Sequence, residues 1–136
     1  MPKILALDYG KKRTGLAVSD ESKIFAFGYG TQDTNSLMIY LDGLLQKERI
    51  DTLLVGMPKK LNNEDAEIST AIRKFIQLFK EKHTAIIVVE WDERFTSKMA
   101  MQSMVESGMK KKDRQNKATI DEVSATILLQ SYLETL

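Results

Sequence analysis

The stretch Lys3-Ile4-Leu5-Ala6-Leu7-Asp8-Tyr9-Gly10-Lys11-Lys12-Arg13-Thr14-Gly15-Leu16-Ala17-Val18-Ser19-Asp20 decides the fold of this chain. It holds two short apolar runs joined by a turn of glycine and basic residues. Apolar runs of this length, bounded by turn signals, read as buried strands. Residues 3–8, 14–20 and 24–31 are therefore predicted strands, with Gly10, Gly15, Gly28 and Gly30 at their ends or edges. The gaps between them are too short for helical crossovers, so the three form an antiparallel meander.

Past the meander the period changes. Leu37, Leu41, Leu44 and Leu45 mark one face of a helix over 35–49, and a fourth strand follows over 52–57, closed by Pro58. A second helix carries Ile68, Ile72, Phe75 and Phe79 on one stripe. A fifth strand is predicted over 85–91, and a further helix from Thr96 or Ser97 to about Gly108. The last helix is expected to open at Thr119, where Thr119-Ile120-Asp121-Glu122 matches a capping box. Right-handed crossovers set strands four and five parallel to strand one. The predicted fold is α/β: a mixed five-stranded sheet, with a three-strand antiparallel meander plus two parallel strands, and helices on both faces. That is the ribonuclease H-like layout. No repeat, low-complexity tract or linker divides the chain, so one domain is expected over 1–136.

Composition narrows the function classes. The 136 residues are 43% hydrophobic and 29% charged, an ordinary globular mixture. No apolar stretch approaches the roughly 20 residues of a membrane span, and no signal-peptide pattern opens the chain, so no membrane partner is expected. There is no cysteine, which excludes disulfides, thiolate metal sites and cysteine nucleophiles and fits a reducing cytoplasm. Twenty basic and nineteen acidic residues leave a net charge of only +1, but its distribution is uneven. Residues 110–117 hold five basic residues against Asp113, a local +4, so the remainder sums to −3. A basic loop beside an acidic pocket suits a polyanion that reaches a metal; a solvated charged loop is the competing explanation.

Three acids carry the chemical information. Asp8 shares a strand face with Ile4 and Ala6 and so continues a buried row, although Asp-x-Gly also starts ordinary turns. Glu93 follows the run Ile86-Ile87-Val88-Val89, and of Asp92 and Glu93 only one is expected to be a primary ligand, since they point different ways. Asp121 stands in a helical first turn, where the macrodipole alone favours an acid by about 0.3–1 kcal/mol. It also heads the stripe Asp121, Ala125, Leu128, Tyr132, otherwise apolar or aromatic and so turned toward the sheet. Carboxylates are costly to desolvate unless paired or bound to metal. If the strands are neighbours and the last helix crosses their ends, the three converge into a hard-oxygen pocket for Mg²⁺ or Mn²⁺. Glu122 is explained by the capping box, and His83 is expected at the surface. Arg94 reads either as a clamp on a carboxylate or as a phosphate contact.

Three blocks resemble the YqgF family, pre-16S rRNA nucleases also described as Holliday-junction-resolvase-like. They are Leu5 through Asp20, then Asp92-Glu93-Arg94-Phe95-Thr96-Ser97, then Lys117 through Asp121 into Ala125-Thr126-Ile127-Leu128-Leu129-Gln130; Leu54-Val55-Gly56-Met57-Pro58 is a weaker fourth. The resemblance runs nearly end to end. It implies a ribonuclease H-like fold, a cytoplasmic setting, and metal-dependent hydrolysis of phosphodiester bonds, with the family's acids falling on Asp8, Glu93 and Asp121. Arg13, Arg94, Lys117, Lys59, Lys60 and Lys111 are the candidates to hold substrate phosphates. The chain departs from the family after Pro58, where relatives show an asparagine and an Asp-Gly-Ser-like turn but this sequence reads Lys59-Lys60-Leu61-Asn62-Asn63-Glu64-Asp65.

The expected function is an endonuclease with Mg²⁺ or Mn²⁺, acting on structured RNA and processing the 5′ end of precursor 16S rRNA in ribosome biogenesis, with ribosomal particles as further partners. A branched-DNA resolvase, or a non-catalytic ribosome-assembly binding protein, is the alternative. A monomer or a weak homodimer is expected.

Overall fold

A computed structural model describes residues 2–58, 63–92 and 116–136. The meander is β1 (Lys3–Asp8), β2 (Arg13–Ser19) and β3 (Ala26–Asp33), followed by a 3-10 turn at Thr34–Ser36. Then come α1 (Leu37–Lys47), β4 (Ile50–Met57), α2 (Asn63–Lys82), β5 (Ile87–Asp92) and α3 (Lys117–Leu133). The sheet order is β3-β2-β1-β4-β5, with β2 antiparallel to β1 and β3, and β4 parallel to β1 and β5. This is the predicted mixed sheet. The predicted helix over residues 96–108 and most of the basic loop lie outside the described residues.

Strand alternation sends side chains to two cores. Leu5, Leu7, Leu16, Leu53 and Val55 pack against Leu37, Leu41 and Leu44 of α1 and Ile72, Phe75 and Phe79 of α2. Ile4, Ala6, Ala17 and Leu54 pack on the opposite face against Ala125, Leu128, Leu129 and Leu133 of α3. Phe79 is fully buried, and truncating such a ring to alanine costs about 3–5 kcal/mol. The expected stripe on α3 is present, with Ala125 and Leu128 buried and Tyr132 packed on the cluster.

Three details differ from the sequence reading. The fifth strand was expected to be buried, yet Ile87 is 64% exposed and β5 forms an edge among the described strands. Alternation alone does not reveal which strand lacks a neighbour. His83 is not a free surface group: its Nε2 donates to Asp42 Oδ1 at 2.7 Å and its ring lies 4.8 Å from Phe79, pinning the end of α2 to α1. Finally, α3 starts at Lys117 rather than Thr119, and the Ile120 amide bonds the Asn116 carbonyl. Thr119 is thus inside the helix, and Glu122 is not the partner in a capping box.

Candidate functional site

Asp8 closes β1 on the α3 face of the sheet, in line with Ile4 and Ala6. Its register partner across the β1–β2 ladder is Gly15. Gly15 is also where α3 touches down: a Cβ built there would run into the carbonyl of Asp121 and the amide of Glu122. The residue opposite Asp8 is therefore in backbone contact with Asp121. Two acids 113 positions apart in sequence are brought to one end of one sheet face.

Arg13 approaches Asp121. Its Nε lies 3.4 Å from Asp121 Oδ2, with the two side chains 34% and 28% exposed. That nitrogen is buried and has no hydrogen-bond partner among the described residues, so the contact is charge attraction without hydrogen-bond geometry. Gly10, Lys11, Lys12, Arg13, Ile120 and Asp121 line a cleft of about 470 Å³. A larger cleft of about 590 Å³, lined by Lys23, Phe25, Gln130 and Leu136 among others, lies at the far end of α3 and contains none of the candidate acids.

The basic turn between β1 and β2 is held from behind by Thr34. Its hydroxyl donates to the Gly10 carbonyl at 2.6 Å, and its amide donates to the Lys12 carbonyl at 2.9 Å. Because the Thr34 hydrogen is used on Gly10, the buried Thr14 hydroxyl donates to Thr34 Oγ1 at 2.9 Å. The turn closes tightly at Gly10, where a Cβ would collide with the Arg13 carbonyl. Lys11 is tied to Glu67 at 2.8 Å, but both side chains are well exposed, so the pair holds the turn only weakly.

At the other side, β4 and β5 run parallel to β1 with Leu7 opposite Val55 and Val55 opposite Glu90. The carboxyl ends of all three strands therefore meet at one edge, the usual ligand position in sheets of this kind. β5 ends at Asp92, opposite Met57. Glu93, Arg94, Lys59, Lys60 and Lys111 lie outside the described residues, as does the side chain of Lys117, which opens α3. Among the described residues no three metal-ligating side chains cluster. Asp8 and Asp121 each offer hard carboxylate oxygens, the donor type that a divalent cation of the Mg²⁺ type takes, whereas the Arg13 guanidinium beside Asp121 is a charge partner and no metal ligand.

Sequence reasoning missed the Thr34 anchor and the partner of Glu122. The Glu122 carboxylate accepts the Gly30 amide at 2.6 Å, across 92 positions of sequence. Gly30, with its φ of +89°, was the available signal, but nothing local paired it with Glu122.

A family model described as "RuvX: Holliday junction resolvase" matches residues 2–135. A protein of Flavobacterium psychrophilum named "Putative pre-16S rRNA nuclease" is 48% identical over 133 residues, covering 98% of this chain and 97% of its own length. A protein of the same name from Phocaeicola vulgatus is 49% identical over 135 residues, covering 99% and 97%. Among solved structures, T. thermophilus RuvC in complex with Holliday junction substrate matches with a TM-score of 0.63 at 13% identity, covering 99% of this chain and 95% of that one. At that identity the likeness is one of fold, the ribonuclease H-like fold expected from the sequence.

Proposed function

The chain belongs to the RuvX Holliday junction resolvase family, and from that premise we propose that it is a divalent-metal-dependent endonuclease. Its proposed reaction is hydrolysis of phosphodiester bonds at the 5′ end of precursor 16S rRNA during ribosome biogenesis in the cytoplasm. The substrate is taken from relatives about half identical to this chain over nearly its whole length. The observation that carries the reading is the seating of Asp121 on Gly15, directly opposite Asp8.

Asp8 and Asp121, with Glu93 as the third acid, would hold Mg²⁺ or Mn²⁺. When bound, such an ion supplies Lewis acidity toward a phosphoryl oxygen and makes water more acidic. The chain's own groups do the rest. Lys11 and Lys12, on a turn locked by Thr34, draw the phosphate backbone toward the acids, an attraction that weakens with salt. Arg13 offsets the negative charge of Asp121 and limits its motion. Arg94, Lys117, Lys59, Lys60 and Lys111 are proposed as further phosphate contacts. A single domain over 1–136 carries the whole activity in this reading. Among the described residues no helix is long and apolar enough to cross a membrane.

Cleavage of branched DNA is a second reading, favoured by the description of the matching family model. It needs two active sites arranged symmetrically, as in a homodimer. A non-catalytic role in ribosome assembly is the third.

The deciding experiment is cleavage of an end-labelled precursor 16S rRNA fragment and of a four-way DNA junction in Mg²⁺, Mn²⁺ and EDTA, with Asp8→Asn in parallel. Metal-dependent cuts in the RNA that vanish in the variant support the proposal. Cuts confined to the junction move the substrate to DNA, and a folded protein that cuts neither is a binding protein.

A further inference from the structure

The contact between Glu122 and β3 has no part in the metal set just described, yet it stands one residue from Asp121. At Gly15/Ala17 the β2–β3 register slips, so that two steps along β2 face three along β3, from Gly28 to Thr31. This is a bulge, a device that frees a backbone group from the ladder and re-aims the strand. Gly30 within it has φ +89°, a conformation that side chains other than glycine rarely adopt. Its amide donates to Glu122 Oε2 at 2.6 Å, a short bond of the charge-assisted kind. The rest of the Glu122 side chain lies on Gly28, where an added Cβ would stand 2.9–3.0 Å from Oε2, Cδ and Cγ.

A second attachment lies eight residues further along α3. Gln130 Oε1 accepts the Ala26 amide at 3.1 Å, and its Nε2 donates to the Ile24 carbonyl at 3.3 Å. Eight helical residues rise about 12 Å, so the two bonds tie α3 to β3 at points about two helical turns apart. Together they fix the height of α3 on the sheet and its rotation. Successive helical side chains point about 100° apart. Anchoring Glu122 on the β3 edge therefore turns Asp121 away from that edge, toward Arg13 and the end of β1.

We infer that Glu122 is a positioning residue: its carboxylate, held by the Gly30 amide in the β3 bulge, sets the rotation of α3 that presents Asp121 to Asp8. This rests on the nuclease reading above and adds to it a residue that acts through Asp121, without touching metal or substrate. The role needs a hydrogen-bond acceptor and not a negative charge, which is what makes it testable.

The experiment compares wild type, Glu122→Gln and Glu122→Ala in Mn²⁺ affinity, in kcat and KM for RNA cleavage, and in the backbone amide resonances of Gly30 and Asp121. A glutamine keeps an oxygen for the Gly30 amide; an alanine does not. Groups that orient metal ligands change affinity or activity by about 10- to 100-fold when removed. The alanine variant is expected to lose kcat and Mn²⁺ affinity in that range, with KM little changed, and the glutamine variant to stay within about threefold of wild type. A glutamine variant as damaged as the alanine one would make Glu122 a direct ligand and overturn the inference. An alanine variant that melts earlier yet keeps kcat and Mn²⁺ affinity would overturn it too. If Glu122→Ala does not fold, Gly28→Ala replaces it, displacing the carboxylate while leaving it in the chain, with the same losses expected. If wild type neither binds Mn²⁺ nor cleaves, the nuclease reading fails by itself. The resonances then decide: Asp121 shifted in the alanine but not the glutamine variant upholds the clamp, and Asp121 unmoved in both removes it.

Discussion

The side chain that Gly15 lacks is the space in which the backbone of Asp121 rests. Any Cβ at position 15 would enter the Asp121 carbonyl, and Gly15 is also the ladder partner of Asp8. One glycine thereby sets the distance between a strand end and the second turn of a helix that each carry an acid.

Gly15→Ala is the first test of that seat. The methyl meets backbone, which cannot swing aside as a side chain tip can, so α3 must lift. Overpacking of this sort costs about 1–3 kcal/mol, and urea unfolding should show a loss in that range. Cleavage should fall further than the lost stability accounts for, because Asp121 moves with the helix. Gly43→Ala is the control. Gly43 lies within α1 with nothing near its missing Cβ, so alanine there should stabilise by about 0.5–1 kcal/mol and leave cleavage unchanged.

Thr34→Val keeps the shape of the side chain and deletes its hydroxyl. The Gly10 carbonyl and the buried Thr14 hydroxyl both lose a partner. Leaving such groups unsatisfied costs about 1–3 kcal/mol. Because the groups affected hold the Lys11–Lys12 turn, KM for RNA should rise while kcat is largely retained. Steady-state kinetics on the folded variant would separate the two.

Arg13 and Lys12 line the same cleft but should behave differently. Arg13 is engaged with Asp121 through a buried nitrogen, so Arg13→Gln is expected to lower kcat by about tenfold or more with a small change in KM. Lys12→Ala should instead raise KM and reduce the slope of log affinity against log salt by about one, as for the loss of one phosphate contact. A large KM effect with unchanged kcat for Arg13→Gln would assign that residue to phosphate binding.

Asp42 links pH to stability. The hydrogen bond from His83, and after it that from Lys82, holds its carboxyl below the ordinary carboxylate range. A depressed folded-state value means that the unfolded chain takes up the proton first as pH falls. The contribution is therefore complete above the ordinary value of about 3.9 and is lost as pH drops below it toward the folded-state value. Asp42→Asn should melt earlier than wild type at pH 6, and the gap should close as pH falls below about 4. A gap that stays constant down to pH 2 would show that the ion pair contributes nothing through this titration.

Much of this molecule was legible locally. The strand alternation of Ile4, Ala6 and Asp8, the stripe Ala125, Leu128 and Tyr132, and the short turns of the meander are each encoded within a few residues, because side-chain period and connection length are local properties. They gave the sheet, its parallel and antiparallel halves, and two of the acids on one face. The helix start at Lys117 in place of Thr119 shows where local reading fails. A capping box was present in the letters, but Glu122 had a stronger acceptor's role 92 positions away. What the sequence by itself determined is the order of the strands, which helical faces are apolar, and that Asp8 and Asp121 belong to a strand row and a helix stripe that face the core. Only the tertiary structure decided how far apart and at what rotation those acids stand, through the Gly15 seat, the Gly30 bulge and the Thr34 anchor. Those depend on backbone atoms of remote segments meeting at van der Waals distance, and no pattern along the chain reports such a meeting.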